Sequence, residues 1–138
     1  MSVNIYKEII LEHWKNPHNY GRIPRPARPS LKLVQGRVLN PSCGDEIEMT
    51  VLLSGSRINK FDSGEIKEIK FQGRGCVISR ASASLLTDYI KGKDLKKIAN
   101  LKKEFIIKLL GVPISISRLK CALLPLEALK QIINDKKS

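Results

Sequence analysis

The sequence predicts an α+β domain in which a three-stranded antiparallel sheet carries an N-terminal helix and several C-terminal helices packed on one face. Three observations lead there. Apolar residues open the chain at helical spacing, alternation marks residues 31–72, and the helical period returns after Cys76. Helix, strands and helices are therefore segregated along the chain and not interleaved as a parallel sheet requires.

The first helix is expected over Val3–Lys15, where Tyr6, Ile9, Ile10 and His13 fall at i, i+3, i+4 and i+7 and so share a face. Asn16-Pro17 ends it, because a residue preceding proline avoids the helical region. Gly21 to Ser30, with three prolines and three arginines, reads as a surface connection. A strand over Leu33–Leu39 comes next. The clearest half-buried strand follows, with Ile47, Met49, Val51 and Leu53 alternating with Glu46, Glu48 and Thr50. Ile69 and Phe71 alternate with Glu68 and Lys70 in a third strand. Ser54-Gly55-Ser56 and Asp62-Ser63-Gly64 mark the connection between the second and third.

Beyond Cys76, Ile78, Ala81, Leu85, Tyr89 and Ile90 form a helical stripe, with Gly92 closing that helix and Asp94 capping the next. Asn100 is expected to cap a helix over Leu101–Leu110, stopped by Gly111 and Pro113. The last helix carries Leu119, Ala122, Leu123, Leu126, Leu129 and Ile133 on one side. Pro125 is expected in its first turn, where a missing N–H costs nothing.

The 138 residues suit a single domain, 1–138, and 42% hydrophobic content supplies a core without disulfides. No apolar run approaches the roughly 20 residues that span a bilayer, and the N-terminus opens an amphipathic pattern and not a signal-peptide core. The expected location is the cytoplasm, with no membrane partner. Net charge is +12, placed as +5 on residues 1–40, −1 on 41–90 and +8 on 91–138. Such a balance favours acidic partners. Nucleic acid is not expected among them: only seven aromatics are present and no stacking motif or recognition helix is legible. Lysine runs of this kind are usually a solvated surface.

Three cysteines exclude a full disulfide framework, and spacings of 33 and 45 residues exclude the close pairs of a zinc ribbon or thioredoxin motif. Each lies at an element boundary: Cys43 before the second strand, Cys76 before a helix, Cys121 at or near the start of the last helix. Helix N-termini carry partial positive charge and unpaired N–H groups, which favour the thiolate that binds metal and attacks sulfur. A single such cysteine would ordinarily be a small buried hydrophobe. Three of them at turns or helix starts point to a shared site. Asp45, alone an ordinary turn residue, lies two residues after Cys43 and supplies a hard oxygen beside three soft sulfurs.

Three segments carry a family resemblance. Asn40-Pro41-Ser42-Cys43-Gly44-Asp45, Phe71-Gln72-Gly73-Arg74-Gly75-Cys76-Val77-Ile78-Ser79-Arg80-Ala81-Ser82-Ala83-Ser84 and Arg118-Leu119-Lys120-Cys121-Ala122-Leu123-Leu124 resemble, in order, the three cysteine motifs of the IscU/SufU/NifU-N-terminal family of iron–sulfur cluster assembly scaffold proteins. Tyr6, Ile9, Ile10, His13, Pro17 and Gly21 match its opening helix and turn. The resemblance spans nearly the whole chain and implies a SufE/NifU-like fold with Cys43, Asp45, Cys76 and Cys121 gathered at one end. It further implies sulfur from a cysteine desulfurase, a transient [2Fe–2S] cluster and delivery to acceptor or carrier proteins, with Zn2+ able to take the same ligands.

Lys120 stands where IscU-type members have histidine; SufU-type members also have lysine there, but many carry an insertion that this chain lacks. The segment between Cys43 and Cys76 is longer than usual. A protonated ammonium has no lone pair for a metal, so the economical set is three thiolates and the Asp45 carboxylate. That meets the four protein ligands a [2Fe–2S] cluster needs. A carboxylate suits cluster iron less well than a thiolate does, which favours release. Lys120 is read as electrostatic support and Cys121 as the persulfide acceptor. The principal expectation is a scaffold with no turnover of its own; the alternative is a zinc-dependent sulfurtransferase.

Overall fold

The computed structural model describes residues 3–24, 31–40, 44–54 and 65–137. Its elements are α1 (Val3–Lys15), β1 (Leu31–Asn40), β2 (Asp45–Ser54), β3 (Glu65–Gln72), α2 (Val77–Ile90), α3 (Leu95–Ala99), α4 (Lys103–Leu110) and α5 (Ile116–Lys137). The strands form an antiparallel sheet in the order β1-β2-β3. Helix α5 lies across β1 and β2, α2 packs between α5 and α1, and α4 leans on α2. Predicted turns at 25–30, 41–43 and 55–64, and with them Cys43, lie outside the described residues.

Alternation explains the sheet's two faces. Ile47, Met49, Val51 and Leu53 are buried beneath the helices, while on the other face Arg37 pairs with Glu46 and Arg22 forks onto Glu48 at 2.9 and 3.1 Å. In β3 the register slips opposite Leu52/Leu53, and the extra residue turns Ile66 inward together with Ile69 and Phe71. Gly36 sits on the inner face of β1. A Cβ there would lie 2.5 Å from Ile132 Cγ1 and 2.8 Å from the Ala128 carbonyl oxygen, so glycine lets α5 approach the sheet.

Helix α2 is the central packing element. Ser79, Ala81, Ser82, Ala83, Ser84, Leu86, Thr87 and Ile90 are all buried, and these small side chains let neighbouring helices come close. The Ser82 hydroxyl donates to the Ala122 carbonyl at 2.6 Å, tying α2 to α5. Gly92, at φ 86°, follows the end of α2, and Asp94 caps α3 by accepting from the Lys97 N–H at 2.8 Å.

Four expectations need correction. Ile9 is 38% exposed with Leu11 and Trp14, and His13 is half-buried, so among the described side chains of that stripe only Ile10 is deeply buried. Asn100 ends α3 and does not start α4, which begins at Lys103. Helix α5 begins at Ile116, so Pro125 is interior and Cys121 stands in the second turn. Its apolar residues are not confined to one side: Cys121, Ala122, Leu124, Leu126, Ala128, Leu129, Ile132 and Ile133 are buried because α5 is covered by the sheet and by α2. That two-sided packing offsets the interior proline, which by itself costs about 3 kcal/mol.

Candidate metal and sulfur site

The end of the sheet where β2 begins is closed by the β3–α2 connection. The Glu46 N–H donates to the Arg74 carbonyl at 2.7 Å. Gly73, at φ 143°, makes this crossing possible, since a Cβ would fall 2.0 Å from the Glu46 carbonyl oxygen. The connection delivers Cys76 to the N-cap of α2 with extended backbone angles of −75° and 178°. Its carbonyl accepts from the Arg80 N–H at 3.1 Å and the Ser79 hydroxyl at 3.2 Å.

Asp45, Cys76 and Cys121 converge there from β2, α2 and α5. One ligand atom of each lies within 4.8 Å of the others. Asp45 is 6% exposed and Cys121 4%, while Cys76 is half-buried. Asp45 Oδ2 is buried and has no hydrogen-bond partner among the described residues. A buried carboxylate oxygen left so is costly, and a cation held between it and two thiolates would satisfy it. The mixed oxygen and sulfur donors suit zinc or iron. Cys43 lies outside the described residues, two positions before Asp45 in the chain. Lys120 is exposed beside the buried Cys121. The helix-terminus argument made for Cys121 belongs to Cys76 instead, because the dipole effect fades within the first turn.

Fold and site together define a class: an α+β domain whose helices cover one sheet face and whose thiol–carboxylate cluster sits where the central strand begins. The model for the NifU-like N-terminal domain matches residues 5–138, and the chain belongs to that family. The chain is 33% identical over 144 residues to the zinc-dependent sulfurtransferase SufU of Bacillus subtilis, covering 92% of this chain and 88% of that protein. It is 30% identical over 133 residues to the iron–sulfur cluster assembly scaffold protein IscU of Haemophilus influenzae, covering 96% of each. The crystal structure of a NifU-like N-terminal protein from Brucella abortus superposes with a TM-score of 0.68 over 97% of this chain and 95% of that one; at 16% identity it speaks for the fold alone.

Proposed function

We propose that this chain works as one domain, 1–138, that accepts sulfur from a cysteine desulfurase, assembles a [2Fe–2S] cluster on Cys43, Asp45, Cys76 and Cys121, and passes it to acceptor proteins. The observation that carries the reading is the buried Asp45 carboxylate within ligand reach of Cys76 and Cys121, its Oδ2 without a hydrogen-bond partner among the described residues. The thiolates hold iron and the carboxylate completes the donor count while remaining the weakest ligand. Sulfur arrives when the Cys121 thiolate attacks the terminal sulfur of the desulfurase persulfide. A new S–S bond forms on Cys121, the old one breaks, and the desulfurase cysteine leaves as thiolate. Lys120 steadies the anionic persulfide.

A second reading is favoured by the Bacillus subtilis relative and by Lys120: a zinc-dependent sulfurtransferase, in which the same four residues hold Zn2+ as a resident cofactor. There Cys43, Asp45, Cys76 and Cys121 would hold the ion, which would keep the ligand thiols deprotonated, and one of these cysteines would take the persulfide. Metal analysis of protein purified without oxygen, with desulfurase turnover measured with and without iron, separates the two. The scaffold reading expects iron-dependent appearance of a cluster chromophore. Zinc-dependent stimulation of the desulfurase without cluster formation overturns it.

A further inference from the structure

A second set of metal-ligating side chains stands apart from the cysteine site. His13 lies in the last turn of α1 and His18 just beyond the Asn16-Pro17 break; Asp88 lies in α2. One ligand atom of each lies within 4.8 Å of the others. The two imidazoles, 4.4 Å apart between ring centroids, are the only two in the chain.

Each member is held from behind. His13 Nδ1 lies 2.6 Å from Ser84 Oγ, which also accepts the His18 N–H at 2.8 Å. Asp88 Oδ1 accepts from Asn19 Nδ2 at 2.9 Å, and the same amide nitrogen reaches Thr87 Oγ1 at 3.0 Å. Asn19 is held at φ 59° in the left-handed region, and its side-chain Oδ1 accepts from Lys91 Nζ at 3.0 Å. His18 Nδ1 and Asp88 Oδ2 are 2.5 Å apart, with side chains 51% and 44% exposed. Imidazole and carboxylate donors backed by such contacts are the usual makings of a site for a divalent transition cation.

We propose that His13, His18 and Asp88 form a second, solvent-open site for a divalent transition cation such as Zn2+ or Co2+. The cation enters between His18 Nδ1 and Asp88 Oδ2, which already stand side by side. His13 Nδ1–H donates to Ser84 Oγ and leaves Nε2 as the third ligand, with water in the fourth position. The turn between α1 and β1 would then be joined to α2 through the ion.

The test is zinc titration of the full chain followed by NMR. With two histidines in the sequence, their ring C–H resonances report this site wherever else zinc goes. Both sets should shift together and saturate, and the Asp88→Asn variant should require at least tenfold more zinc for the same change. Cobalt titration of a Cys43→Ser/Cys76→Ser/Cys121→Ser variant should still yield one equivalent with visible ligand-field bands and no thiolate charge-transfer band. Histidine resonances that zinc leaves unmoved, or a midpoint equal in parent and Asp88→Asn, overturn the proposal whatever the cysteine site does.

Discussion

Asp45→Ala should change stability in opposite directions with and without metal. Asp45 is 6% exposed and its Oδ2 has no hydrogen-bond partner among the described residues. Leaving a buried polar group unsatisfied costs about 1–3 kcal/mol, more if charged. With chelator present, removing the carboxylate should therefore stabilise the fold by about 1–3 kcal/mol. For a chain of this length each kcal/mol moves Tm by about 3 °C, so the expected rise is about 3–9 °C. The backbone of β2 is untouched, since alanine keeps the pairing of position 45 with Asn40. With zinc at about 100 times its Kd the parent gains about 2.7 kcal/mol, and a tenfold loss of affinity removes about 1.4 kcal/mol of that in the variant. Circular dichroism melts in chelator and in zinc measure both. A zinc-induced rise in Tm equal to the parent's would refute the ligand role. A variant that melts lower than the parent in chelator would refute the argument from the unsatisfied oxygen.

The same Asp45→Ala change should slow delivery of a reconstituted cluster to an acceptor, because the ligand that lets go first is gone; transfer at the parent's rate, followed by visible absorption, would exclude Asp45 as the releasing ligand. Mass spectrometry after incubation with desulfurase and cysteine should find added sulfur first on Cys121. Cys76 is more exposed and holds the helix terminus, so persulfide on Cys76 or Cys43 at the parent rate in Cys121→Ser would show the acceptor assignment to be wrong. Gly36→Ala should cost about 1–3 kcal/mol in urea unfolding by pressing a methyl group against Ile132 and the Ala128 carbonyl; an unchanged midpoint would mean that α5 moves away freely. His13 is held below its ordinary value of 6.5, chiefly by burial. Its contribution is present above that value and lost as pH falls below 6.5, because the unfolded chain takes up the proton first. In chelator, His13→Gln should flatten the stability profile in that window, and an unchanged slope there would contradict it.

Periodicity by itself determined the element types and their order, because burying one face of a strand or helix writes spacing into the chain. The bounds of α1 and the roles of Gly92 and Asp94 were local as well, resting on helix-end chemistry. The cysteine motifs and Asp45 named candidate ligands, but only tertiary structure brought Asp45, Cys76 and Cys121 within reach, by way of a crossing that Gly73 permits. Helix α5 was misjudged because propensity places proline at a helix start, whereas packing on two sides holds Pro125 in the interior. Ile66 could not be phased with Ile69 and Phe71 without the bulge that separates them. His18 and Asp88 are 70 positions apart, and no spacing rule joins residues at that distance. Contacts so far apart in the chain depend on how α1 lies against α2, which the burial of Ile10 and the small side chains of α2 settle only once the helices have packed.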